Sequence, residues 1–246
     1  MRILFGAAAL LVGALSSSAY AQDWSGPEIG VQGGYAWGDS SGVATGTGGP
    51  LGGTTVSRPY SFSPSGGLGG AHAGYNWQFG NVVLGLEGDA EGADVSGSLT
   101  ASGVVAGLPR ISAVHDRMDF DATVRGKLGW AMGRWLPYAT GGVAFGDVQT
   151  NYQFPPGTTV AQTSGVRVGW TAGGGVDYAL TPNWSAALEY RYTDLGRQGA
   201  SATVSGVTAS DSNEFNFNAV RLFITYHFAS PPPPPMPMAA VRRSDR

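Results

Sequence analysis

Three features of the sequence predict an all-β fold, an eight-stranded antiparallel transmembrane β-barrel. Apolar residues recur with period two from Gly26 onward, tight and long connections alternate, and aromatic residues gather at the tight-turn end of the strands.

The period-two stretches run approximately over 26–38, 66–79, 82–95, 115–132, 135–149, 164–180, 184–196 and 214–228. In the fourth, Phe120, Ala122, Val124, Gly126, Leu128, Trp130 and Met132 face one way. Asp119, Asp121, Thr123, Arg125, Lys127, Gly129 and Ala131 face the other. A helix would mix the two sets. The third stretch repeats the pattern, with Val82, Leu84, Leu86, Gly88 and Ala90 opposite Gly85, Glu87, Asp89 and Glu91.

Long connections are expected over 39–65, 96–114, 150–163 and 197–213, and tight ones at Gly80-Asn81, Gly133-Arg134 and Thr181-Pro182-Asn183. Sorting loops by end in this way is the mark of a barrel set in an outer membrane, and a soluble lipocalin-like barrel or sandwich has no cause to do it. Trp77, Phe79, Trp130, Trp135, Tyr178, Trp184, Tyr226 and Phe228 all fall near the tight-turn end. Amphipathic rings prefer the headgroup boundary, so these residues form the expected aromatic girdle. Core aromatics would have no reason to share one height. Tyr35, Trp37 and Tyr192 make a sparser ring at the other end.

By the same parity the bore is charged. Glu87, Asp89, Glu91, Asp119, Asp121, Asp177 and Glu189 point inward with Arg125, Lys127, Arg167, Arg191 and Arg221, alongside Gln32, His72 and Asn76. Eight strands leave an interior just wide enough for side chains. Counting from the turns sets Glu87 and Asp89 level with Lys127 and Arg125, and Glu189 and Arg191 near Arg221. These seven charges are the expected cross-lumen network.

Composition narrows the function. The chain has 246 residues, a formal charge of −3, 40 glycines, a single lysine and no cysteine. With only 13% charged residues it is about half as charged as a soluble domain, so part of its surface meets something other than water. The lack of cysteine removes disulfides, thiolate metal centres and thiol nucleophiles. The acidic balance argues against nucleic acid as a partner.

Residues 1–21 read as a cleaved signal peptide: Met1-Arg2, an uncharged run from Ile3 to Leu15, and Ala19-Tyr20-Ala21 at the cleavage site. That run is too short for a membrane-spanning helix. Residues 22–228 form the barrel domain and 229–246 a Pro-rich tail, with consecutive prolines from Pro231 to Pro235 and the basic end Val241-Arg242-Arg243-Ser244-Asp245-Arg246. Five prolines favour an extended polyproline rod. Strand parity puts this tail on the short-turn, periplasmic side, either as a disordered end or as a contact of its arginines with cell wall or anionic headgroups.

Four segments carry a family resemblance: Gly70 to Gln78 (GAHAGYNWQ), Gly169 to Tyr178 (GWTAGGGVDY), Trp184 to Gly196 (WSAALEYRYTDLG) and Val220 to Phe228 (VRLFITYHF). They resemble the small outer-membrane β-barrel family, the porin-family or outer membrane immunogenic type of Gram-negative bacteria. Trp24-Ser25-Gly26 is similar to the Trp-Thr-Gly that opens the mature domain there. The resemblance implies an eight-stranded barrel in outer-membrane lipid, inserted by the outer-membrane assembly machinery reading a terminal aromatic, here Phe228. The tail beyond Phe228 departs from that pattern.

No motif carries catalysis. Gly38-Asp39-Ser40-Ser41-Gly42 matches G-x-S-x-G but is followed by a Gly/Thr-rich stretch rather than a helix. Gly67-Leu68-Gly69-Gly70-Ala71-His72 lacks the last glycine of a dinucleotide fingerprint. His72, His115 and His227 fall at three heights, so they do not converge on a metal, and Ser112 with His115 and Asp116 fits no nucleophile template. Asn183-Trp184-Ser185 is a sequon incidental to its turn. The expectation is a non-enzymatic barrel with no cofactor and a structural, surface-presenting role. A narrow passive porin is the first alternative, separated by whether the lumen charges pair or leave a wet path. An adhesin or ligand binder acting through the long loops is the second, weakened by their few aromatic anchors.

Overall fold

The computed structural model describes residues 22–48, 55–105, 108–153, 159–204 and 207–228. The expected signal peptide (1–21) and tail (229–246) lie outside them. Among the described residues there are nine strands: β1 (Gly26–Gly48), β2 (Thr55–Phe62), β3 (Ser65–Phe79), β4 (Val82–Val105), β5 (Leu108–Trp130), β6 (Trp135–Gln153), β7 (Thr159–Ala179), β8 (Trp184–Val204) and β9 (Val207–His227). β2 pairs with the far half of β1 and β3 with its near half, so the two fill a single place in the wall. The barrel therefore has eight positions.

Each strand pairs antiparallel with its neighbour, and β1 returns to β9 from Glu28↔His227 to Gly48↔Val207. That closure satisfies the backbone without an edge, which is what hydrocarbon demands of a sheet. Along β3 every fourth residue is buried while the outward positions between stay open, because small inward residues such as Gly70 and Gly74 alternate with large ones such as His72 and Asn76. Tight turns join the strands at one end, where Gly80 and Gly133 take φ of 62° and 64°.

The outer face is apolar. Ile29, Val31, Leu84, Leu86, Val124, Leu128, Val168, Leu188, Leu222 and Ile224 all stand exposed.

The expected long loops differ most from the structure. Ladders continue far into 96–114 and 197–213, where β4 pairs β5 out to Val105↔Leu108 and β8 pairs β9 out to Val204↔Val207. These segments are hairpins of the same strands. Their Gly/Ser/Thr-rich sequence carries no sustained alternation of apolar and polar residues, so periodicity alone does not mark them as strands.

Asp119 is a second correction. It is the extra residue of a β-bulge between Met118 and Phe120, so the bore receives Met118 and Asp121 while Asp119 pairs with the exposed Arg117.

A closed, continuously bonded sheet resists dodecyl sulfate at room temperature. The refolded protein is therefore expected to migrate faster unboiled than boiled; equal mobility, with a helical circular dichroism spectrum, contradicts closure. Val124 is half exposed on the apolar wall, so Val124→Arg should lower stability in lipid vesicles by about 2–4 kcal/mol if that level is mid-membrane. Urea unfolding in vesicles measures it. A change near zero would place Val124 away from lipid.

Candidate functional site

The bore is the site, and it is filled in layers. At the short-turn end, residues 22–25 cross the mouth. The Gln22 backbone N–H donates to the Gly133 carbonyl (3.3 Å), and its side-chain amide donates to the Pro182 carbonyl (2.9 Å). The Trp24 N–H donates to Gln78 Oε1 (2.8 Å). This anchoring drives the Trp24 ring fully inside against Val83, Ala131, Leu136 and Ala179, edge-on to His227 at 5.6 Å.

Above Trp24 lies a charged layer. Lys127 Nζ sits 3.0 Å from Glu28 and 2.9 Å from Glu87. Asn76 donates to the other Glu28 oxygen (2.7 Å), and His227 reaches Ser185 (2.8 Å). Arg125 is the hub one step higher: it contacts Glu87, Asp89 (2.7 Å) and Glu189 (3.1 Å). Arg191 closes the same ring, 3.2 Å from Asp89 and 2.7 Å from Glu189. Tyr138 donates its hydroxyl to Glu189 (2.9 Å) and Thr123 donates to Asp89 (2.7 Å).

Arg221 forms the top of the layer. Its guanidinium grips Glu91 through Nε (2.9 Å) and Nη2 (2.8 Å), and Asp121 lies 3.7 Å away. Gln32 donates to Glu91 at 2.6 Å.

The structure thus brings Glu87, Asp89, Arg125, Lys127, Glu189 and Arg191 into one connected cluster. Arg221 stands apart from its ladder partner Glu189 and reaches across the bore to Glu91 of β4. Glu28, outside the expected inward set, joins the charged layer and shares the parity of Gln32. Asp177 and Arg167 are buried in the bore as well. His72 points inward and meets Thr225 (3.1 Å). The side chains of Ser112, His115 and Asp116 lie outside the described residues.

The oxygens of Asp89, Glu91 and Asp121 lie within 4.8 Å of one another, a spacing suited to a metal ion. Arg125 and Arg191 bind Asp89, and Arg221 binds Glu91, so guanidinium groups already supply the positive charge there.

A second, apolar layer caps the charges toward the long-hairpin end. Phe215, Phe217, Met118, Leu195, Val95 and Val148 fill the bore with Leu68 and four alanines. Parity from Arg221 places Phe217 and Phe215 inward, a signal already present in the sequence.

The girdle residues project outward. Trp77, Phe79, Trp130, Trp135, Trp184 and Phe228 are exposed, and Tyr178 and Tyr226 half-buried. Trp135 meets Tyr178 at 4.5 Å, and Tyr226 lies between Trp184 (5.1 Å) and Phe228 (5.0 Å).

Comparison with known proteins agrees with this architecture. The family model described as "Outer membrane protein beta-barrel domain" matches residues 7–228. The 31 kDa outer-membrane immunogenic protein of Brucella melitensis biotype 1 is 34% identical over 209 residues, 83% of this chain and 84% of that protein. The 22 kDa outer membrane protein of Rhizobium leguminosarum bv. viciae is 32% identical over 163 residues, 66% of this chain and 67% of that one. The 25 kDa outer-membrane immunogenic protein of Brucella abortus biovar 1 is 29% identical over 205 residues, covering 83% and 79% of the two chains.

Arg125→Ala removes the shared partner of Glu87, Asp89 and Glu189 and leaves buried carboxylates under-compensated. A loss of about 3–5 kcal/mol in unfolding free energy is expected. Vesicle-based denaturation measures it, and a change within experimental scatter would show that the cluster is not structurally coupled.

Proposed function

The chain belongs to the outer-membrane protein β-barrel family, and from that premise we propose that it is a sealed, structural barrel that presents its long hairpins at the surface of a Gram-negative cell. The observation that carries this reading is the ion cluster around Arg125. It ties β4, β5 and β8 together across the bore, and Lys127 extends it to β1. In a narrow bore these side chains occupy the path that a solute would take.

Three seals act in series: Trp24, the charged layer and the Phe215–Phe217 layer. A transporter has no use for such redundancy, whereas a scaffold gains rigidity from each. The girdle of tryptophan and tyrosine sits at the periplasmic headgroup level in this reading, and the hairpins beyond Trp37 and Trp170 stand outside the cell. Its partners are outer-membrane lipid and, during insertion, the assembly machinery. The tail is periplasmic and within reach of the cell wall. Catalysis is not part of the role in this reading, since Glu87, Asp89, Glu91 and Glu189 are each ion-paired with an arginine inside the bore.

A second reading keeps the bore slightly leaky. Among the described residues the buried inward set holds seven acids against five lysine and arginine residues, so any residual path favours cations.

Single-channel recording of the refolded protein tests the proposal. The wild type should show no steady conductance, and Arg125→Ala should show brief cation-selective openings, lower stability, or both. Large, long-lived wild-type channels would instead make the protein a porin.

A further inference from the structure

The charges inside the bore do not balance. Among the described residues seven buried acids face five buried lysine and arginine side chains, which leaves two negative charges without a fixed counter-charge. The buried histidines do not serve the upper end of the charged layer, because His227 lies beside Glu28 at 3.4 Å and His72 meets Thr225.

The deficit falls at that upper end. Asp89 and Glu91 face inward from β4 and Asp121 from β5, and one carboxylate oxygen of each lies within 4.8 Å of the other two. Guanidinium groups serve the first two. Asp121 is left out of that supply: it is 1% exposed and neither of its oxygens accepts a hydrogen bond. Its ion-pair partner, Arg221 Nη2, stands 3.7 Å away and is committed to Glu91 at 2.8 Å.

A second acceptor is open beside it. Gln32 of β1 donates its amide nitrogen to Glu91 Oε1 (2.6 Å), which holds the amide against the carboxylates, and its carbonyl oxygen is buried without a partner. Asp89 Oδ1 accepts only a long bond of 3.4 Å from Arg191. Bare acceptors in a dry interior are costly, and most costly when charged. What they lack is a cation.

We propose that Asp121, Glu91, Asp89 and the Gln32 carbonyl hold one hard divalent cation of the Ca²⁺ type, enclosed between the charged layer and the apolar cap. The donors are all oxygen, which suits Ca²⁺ or Mg²⁺ and not thiophilic metals. Oxygens up to 4.8 Å apart can share Ca²⁺ at about 2.4 Å from each, whereas Mg²⁺ at about 2.1 Å needs a tighter set. Arg221 Nη1, buried and also without a partner, is placed to donate to a water in the ion's shell. Two positive charges offset the two excess acids. The ion ties β1, β4 and β5 together where the arginines leave Asp121 unserved. Ion content and conductance are separate readouts, so the sealed-barrel reading and this site can each fail alone.

The test uses the full chain refolded into phosphatidylcholine vesicles with either Ca²⁺ or a chelator, the ion being offered during refolding because the site is enclosed. After exhaustive dialysis and transfer to detergent, native mass spectrometry should find one Ca²⁺ per wild-type chain and none on Asp121→Asn. In urea, Ca²⁺ at ten times its dissociation constant should raise the wild-type folded-to-unfolded ratio about elevenfold and leave Asp121→Asn unchanged. In chelator the variant should be the more stable of the two, since it no longer buries the unserved charge; the unboiled gel band checks its folding. Asp94→Asn/Asp119→Asn, on the outer wall, should behave as wild type. The proposal is overturned if the wild type carries no ion or gains no stability from Ca²⁺, if Asp121→Asn retains both effects, if that variant is the less stable in chelator, or if the outer-wall variant loses the ion.

Discussion

In hydrocarbon a backbone N–H has no water to bond, so the last strand must find the first, and the ladder joining β1 to β9 is the contact on which the rest of this structure depends. Once the sheet closes on eight positions its diameter is fixed, and with it the volume that the inward side chains must fill. The outward side chains must be apolar because the solvent is. Nothing then remains for the interior but to be packed, and the chain packs it with Trp24 below, paired charges in the middle and phenylalanines above.

Burying so many charges is not an obvious route to stability. Desolvation offsets much of the attraction in a buried ion pair, and a well-packed apolar set often does as well. The advantage lies in specificity. A strand apolar on both faces could slip by one residue and present either face to lipid, whereas β5, with Arg125 and Lys127 on one face and Val124 and Leu128 on the other, tolerates a single parity. The cluster also fixes register between strands that are not neighbours, because Arg125 reaches Glu189 of β8 and Lys127 reaches Glu28 of β1.

How much of this could be read from the chain depended on where two solvents differ. Over 82–92 and 120–130, one face meets lipid and the other the bore, so period two is sharp and the strands are legible. In 197–213 the sequence is rich in Gly, Ser, Thr and Ala with no sustained alternation, and strand looks like loop. Asp119 departs from its expected inward place because a single bulged residue inverts parity without a mark of its own; neither glycine nor proline flags it. Trp24 lies ahead of the first strand, where periodicity says nothing, and its place in the mouth follows from tertiary anchoring by Gln78 and the turns at Gly133 and Pro182.

The strands are much longer than a membrane needs. About 9–11 tilted residues cross the hydrocarbon, while β4, β5 and β1 have 23 or 24. The β3–β4 and β7–β8 ladders end at Ser65↔Ser96 and at Trp170↔Asp194; Trp37, the ladder partner of Ser65, belongs with Tyr192 to the sparser aromatic ring, and Trp170 meets Tyr192 at 5.4 Å. Closure therefore holds up to that ring and is released beyond it, where water can satisfy an edge. The apolar layer of Phe215, Phe217, Met118 and Leu195 lies just there, and Leu195 is itself within the bulge at which the β7–β8 ladder ends. The same short segment, Asp194 to Arg197, thus ends the wall on its outer side and helps cap the bore on its inner side.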